Sequence, residues 1–145
     1  LRLDEIQEQW NRDREIDFTD LGLESIRIPQ IHDKYLKVYT DERIRLRGLE
    51  FELTKLTHAK SEYYTGRMSE DELEARGWTP YLGRLLKNEI SGYIEADKDI
   101  LEIKQRIAIL QEKVNYLDSI LKMINNRGFQ IKNAIDWLKF TNGNN

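Results

Sequence analysis

Ile100-Leu101-Glu102-Ile103-Lys104-Gln105-Arg106-Ile107-Ala108-Ile109-Leu110-Gln111-Glu112-Lys113-Val114-Asn115-Tyr116-Leu117-Asp118-Ser119-Ile120-Leu121-Lys122-Met123-Ile124 is the stretch that decides the fold. Within it Ile100, Ile103, Ile107, Leu110, Val114, Leu117, Leu121 and Ile124 recur at alternating spacings of three and four. Those are successive a and d positions of a heptad pattern with no polar break, which predicts a helix with a coiled-coil-type seam. Upstream, Thr79 reads as an N-cap and Pro80 as a first helical position, so one long core helix is expected over 80–126. Gly83 and Gly92 weaken it by about 1 kcal/mol each. Downstream, Arg127 and Gly128 interrupt the pattern. Phe129, Ile131, Ile135, Trp137, Leu138 and Phe140 then predict a short apolar helix over 127–141. An elongated chain has little else to cover such a surface with, so this helix is expected to self-associate.

The partner for the seam lies nearer the N-terminus. Ile31, Tyr35 and Val38 share a helical face, and Leu46, Leu49, Leu53 and Leu56 continue it until Gly66 suits a stop. A helix over 30–67 would be about 50 Å long at about 1.5 Å per residue. Pro29 fits the start of that helix better than its interior. Leu3, Ile6 and Trp10 predict a short N-terminal helix. In the connection after 67, Ser69 followed by Glu72 is a capping pattern, and Arg76-Gly77 would end the turn. The expected fold is all-α, a single domain over 1–145. Two long helices form a hairpin with coiled-coil-type packing, flanked by a short N-terminal helix and a C-terminal assembly helix.

Composition agrees with long helices. Charged residues make up 34% of the chain, with only 2 prolines and 8 glycines, and mean hydropathy is −0.70. No cysteine is present, which excludes disulfides and thiolate chemistry. The longest apolar run, Ile107 to Leu110, is far too short for a membrane span. No charged-then-apolar leader opens the sequence, so no export signal is expected. The net charge of −3 is unevenly spread: residues 34–67 carry 8 basic and 5 acidic side chains, whereas residues 68–102 carry 4 and 9. An acidic total argues against a general polyanion binder but leaves room for a basic face.

Catalytic and metal signatures are missing. His32 and His58, the only histidines, lie in no zinc-binding pattern. There is no phosphate-cradling glycine loop and no nucleophile elbow, so neither an enzyme nor a metal or other cofactor is expected. A binding signal is stronger. Arg43, Arg45 and Arg47, then Lys55, His58, Lys60, Tyr63, Tyr64 and Arg67, place cations and aromatic rings on the 30–67 helix. Cations neutralise phosphates and aromatic faces stack on unpaired bases. Against this, Arg45 and Arg47 face different ways, acids are interleaved, and Tyr63 can equally belong to a core. The residues alone therefore also allow a helical coiled-coil scaffold or adaptor without nucleic-acid binding.

Four segments carry a resemblance. Arg2-Leu3-Asp4-Glu5-Ile6-Gln7-Glu8, Tyr63-Tyr64-Thr65-Gly66-Arg67, Ala96-Asp97-Lys98-Asp99-Ile100-Leu101 and Arg127-Gly128-Phe129-Gln130-Ile131-Lys132 resemble, in order, segments of the UvsY family of recombination mediators from T-even-like bacteriophages. The resemblance implies a non-catalytic protein of DNA recombination and repair. It would bind single-stranded DNA as a homo-oligomeric ring, a hexamer or heptamer. It would displace the phage single-strand-binding protein and load a UvsX-type recombinase in the cytoplasm of the infected host. It also implies that the basic positions before the Tyr-Tyr pair, His58 and Lys60 here, contact DNA. His58 stands where the family has Lys, and a half-neutral imidazole would contribute less; Lys55 or the Arg43–Arg47 group could compensate. The family's assembly region is C-terminal, which matches the 127–141 segment.

Overall fold

A computed structural model describes residues 1–143. Its helices are α1 (Leu3–Asp13), α2 (Leu21–Tyr64), α3 (Glu70–Arg76), α4 (Ile90–Glu95), α5 (Lys98–Asn125) and α6 (Arg127–Thr141), with no strand among the described residues. The fold is all-α, with α2 and α5 as its two long helices. The chain groups into two compact units: Leu1–Arg43 together with the chain from Glu112 onward, and Ile44–Gln111. An unbroken heptad pattern in α5 carries no mark of that division.

In the first unit, the downstream half of the α5 seam packs on α1 and the start of α2. Leu117, Ile120, Leu121 and Ile124 cluster with Ile6, Trp10, Ile31 and Tyr35. Glu42 of α2 meets Lys113 of α5, while Ile31 and Tyr35 meet the later α5 residues, so the two helices run antiparallel there. Leu117, Ile120 and Ile124 are fully excluded from solvent, each contributing about 1.5–3 kcal/mol of burial. Trp10 meets Tyr35 edge-on at 5.5 Å, a favoured ring geometry. The Tyr35 hydroxyl donates to Asp13 at 2.7 Å. The unit is closed by Arg127, only 2% exposed. Its guanidinium donates to the Asp13 carbonyl at 2.8 Å, the Glu15 carbonyl at 2.9 Å and the buried Glu24 carboxylate at 3.1 Å.

Two of the helices differ from the sequence expectation. Helix α2 begins at Leu21 rather than near Gln30, so Pro29 lies inside it. A proline there removes one ladder hydrogen bond. Leu21 and Glu24, both buried, hold the turns before it through tertiary contacts that outweigh the local penalty. Helix 80–126 does not form as one piece: residues 78–86 are irregular and only Ile90–Glu95 is helical before α5. Helix α5 has its own start, because Asp97 Oδ1 accepts the backbone N–H groups of Asp99 at 2.9 Å and Ile100 at 3.2 Å, satisfying orphan donors of the first turn.

The second unit, Ile44–Gln111, holds the end of α2, α3, α4 and the start of α5. Helix α2 stops after Tyr64, and Gly66 takes φ +74°, a conformation glycine reaches without steric cost. Ser69 caps α3 by accepting the Glu72 N–H at 3.2 Å, and Gly77 ends it at φ +69°. Ile100, Ile103 and Leu110 are buried in this unit, and Ile107 is half-buried.

Candidate nucleic-acid interface

The residues singled out by sequence fall into different environments. Lys60, on α2, is 5% exposed. Its ammonium lies 2.8 Å from Asp99 Oδ2 and 3.2 Å from Asp97 Oδ2, with the Trp78 ring centroid 3.9 Å away. A charge so enclosed by two carboxylates and an indole face is an internal brace, not the surface phosphate contact expected of it. One turn on, the Tyr64 hydroxyl donates to Asp97 at 2.6 Å. Burial, and then this bond to Asp97, raise the Tyr64 hydroxyl above its ordinary range. Burial would raise the Asp97 carboxyl, but Tyr64, Lys60 and the Ile100 N–H outweigh it and hold it low.

Tyr63 is equally engaged. Its hydroxyl donates to the Thr79 carbonyl at 2.6 Å. Its ring packs on Tyr64, Trp78 and Tyr81 with centroids 5.1, 5.3 and 5.9 Å away, while Tyr64 also meets Tyr81 and Tyr93. This array holds the irregular 78–86 segment against the end of α2. Gly83 permits the close course: a Cβ there would overlap the Tyr81 ring and hydroxyl. Both tyrosines are thus committed to one another and to the connection.

His58 and Lys55 are exposed on α2, with His58 Nε2 3.3 Å from Glu62. Arg45 and Arg47 are exposed farther back along the same helix. Arg43 belongs to the other unit and covers the Tyr39 ring at 5.4 Å. Arg67, just past Gly66, opens onto a groove of about 910 Å³ within the second unit. Arg84 and Lys87 line the same groove and were missed by the sequence reading. They sit in an acidic stretch, outside any helix, where no periodicity marks a face.

The segment expected to assemble, α6, lies in the first unit. Phe129, Trp137 and Phe140 are 69%, 64% and 70% exposed, and Leu138 is 41% exposed. Trp137 and Phe140 stack with centroids 5.9 Å apart. Ile131 faces inward at 3% exposure, and Ile135 is half-buried. Those two residues complete the unit's own packing, leaving Phe129, Trp137, Leu138 and Phe140 as the apolar surface. No group of metal-binding side chains occurs among the described residues, and no helix there is long and apolar enough to cross a membrane.

Comparison with known proteins places the chain. The sequence profile of the family described as "Recombination, repair and ssDNA binding protein UvsY" matches residues 9–144. The chain belongs to the UvsY family. It is 27% identical over 143 residues to the recombination protein uvsY of Enterobacteria phage T4, covering 99% of each chain. Crystal structures of the bacteriophage T4 recombination mediator protein UvsY superpose on it. One gives a TM-score of 0.83 at 26% identity, covering 97% of this chain and 99% of that one. Another crystal form gives 0.81, covering 94% and 98%. UvsY-family membership thus extends over both units and all six helices.

Proposed function

We propose that this protein is a non-enzymatic recombination mediator that binds single-stranded DNA as a homo-oligomeric ring of six or seven subunits. It helps to displace a phage single-strand-binding protein and to load a UvsX-type recombinase, within the infected bacterial host. The observation that carries the reading is the end-to-end match to the T4 recombination mediator, in sequence and in fold. Two surfaces support it. Exposed cations gather on the second unit: Lys55 on α2 and Arg67 just past its end, with Arg45 and Arg47 farther back along the helix; the exposed imidazole of His58 lies between Lys55 and Arg67 in sequence. An apolar face of α6, formed by Phe129, Trp137, Leu138 and Phe140, is available for assembly.

The mechanism follows from repetition. A single modest basic patch holds a phosphate backbone weakly. A ring presents it many times to one strand, and each further contact becomes intramolecular, which raises overall affinity without base recognition. Wrapping a strand around such a ring restricts its path and loosens the hold of a second protein on it.

The test is a titration of a single-stranded oligonucleotide at several salt concentrations. Binding through phosphates predicts a log–log slope of about −0.7 per neutralised phosphate. A flat or undetectable response overturns the mediator reading. Retention of the single-strand-binding protein at an unchanged dissociation rate overturns the displacement step alone.

A further inference from the structure

We infer that the groove lined by Arg67, Arg84 and Lys87 is the seat of the DNA phosphodiester backbone in each subunit. The inference rests on the single-stranded DNA binding proposed above and deepens it by naming the site.

Charge selection is the first argument. The segment 68–102 is acidic, with 4 basic and 9 acidic side chains. Yet the side chains lining the groove include three cations and no carboxylate. Two of the segment's four cations, Arg84 and Lys87, are turned into it. Glu89, the nearest acid in sequence, accepts the Leu86 N–H at 3.0 Å and is not among the lining residues.

Availability is the second. Arg67, Arg84 and Lys87 are all exposed, and none of them is ion-paired among the described residues, in contrast to Lys60. An exposed guanidinium with its fork open can donate bidentately to phosphate oxygens, whereas a lysine adds a point charge.

Shape and framing are the third. At about 910 Å³, the groove is an open cleft of the size that admits a strand segment. Its walls are fixed from behind. Tyr64, which lines it, is pinned to Asp97, and Gly66 and Gly83 also line it. Arg67 and Arg84 are therefore held by separate segments that the Tyr63–Tyr64–Tyr81 packing ties together. The Lys60 brace then acts on DNA binding indirectly, by fixing the segment that carries Arg84 and Lys87.

The experiment measures binding of fluorescein-labelled oligo-dT to the full chain by anisotropy across a salt series. It compares the unaltered protein with Arg84→Gln/Lys87→Gln and with a control, Lys104→Gln/Arg106→Gln, exposed on α5. If each groove cation neutralises one phosphate, the groove variant has a slope shallower by about 1.4 and binds about 25-fold more weakly at about 0.1 M salt. The control keeps the slope of the unaltered protein. Circular dichroism and light scattering establish that both variants keep their helix content and size. Should the groove variant bind with unchanged slope while the unaltered protein binds normally, the groove assignment is overturned and the mediator reading stands. Equal losses in both variants also overturn the assignment, because the attraction is then diffuse. Absence of salt-dependent binding by the unaltered protein overturns both.

Discussion

The ammonium of Lys60 lies 2.8 Å from Oδ2 of Asp99, a residue 39 positions further along the chain. The contact joins α2 to the first turn of α5. Replacing one partner of a buried ion pair leaves the other charge uncompensated, which typically costs about 3–5 kcal/mol. Asp99 keeps 45% side-chain exposure and Asp97 keeps Tyr64, so Lys60→Ala is expected near the lower end, about 3 kcal/mol. Urea denaturation measures it. A loss below about 1 kcal/mol would show that Lys60 is not a brace.

Acid should weaken the same region. The Asp97 carboxyl is held below its ordinary value of 3.8, as is that of Asp13, where burial is outweighed by the hydrogen bonds from Lys34 and Tyr35. A depressed folded-state pKa gives stability that is fully present above the unfolded value and lost as pH falls through the folded one. Stability should therefore hold from neutral pH down to about 5 and fall below about 4. Denaturant midpoints followed from pH 7 to pH 2.5 check the window. Asp97→Asn should flatten the fall; an equally steep fall in that variant would remove Asp97 as its source.

Arg127 makes the converse case for geometry over charge. Arg127→Lys keeps the charge but cannot reach the Asp13 and Glu15 carbonyls and Glu24 together. Losing even one charge-assisted hydrogen bond is expected to cost about 1.5–3 kcal/mol. Thermal unfolding of this variant beside Lys132→Arg, an exposed conservative change, gives the comparison.

Core and surface of the apolar residues should separate cleanly. Ile120→Ala, at a site with no exposure, is expected to cost about 2–5 kcal/mol. Trp137→Ser/Phe140→Ser, at exposed positions, should leave helix content unchanged yet lower the mass seen by light scattering. An unchanged mass would locate assembly away from this face of α6.

The parts visible in sequence were those set by local periodicity. Seven of the eight heptad positions from Ile100 to Ile124 are buried, because a three-and-four spacing directly encodes one helix face. Ser69, Gly66 and Gly77 were legible as caps and stops because capping is decided within a few residues. What escaped was set at a distance. Thr79-Pro80 is locally a sound helix start, but Tyr81 is drawn into the ring packing of Tyr63 and Tyr64. The true start was written in Asp97, an N-cap followed by Asp99 in the first turn. Lys60 was visible as a charge, yet its burial depends on Asp97 and Asp99. Arg84 and Lys87 were hidden because an irregular segment has no period from which a common face can be read.

The division of the chain has a consequence for its birth. Residues Ile44–Gln111 form one uninterrupted stretch, whereas Leu1–Arg43 needs the chain from Glu112 onward to complete its unit. Arg127 reaches back 114 positions to Asp13. On the ribosome, Ile44–Gln111 is therefore expected to settle first, while α1 waits for the later part of α5 and for α6. A nascent chain stalled before Glu112 would carry Trp10 and Tyr35 without Leu117, Ile120, Leu121 and Ile124 to cover them. Docking of α1 and the start of α2 onto α5 is then a late step, which joins stretches far apart in sequence into one unit.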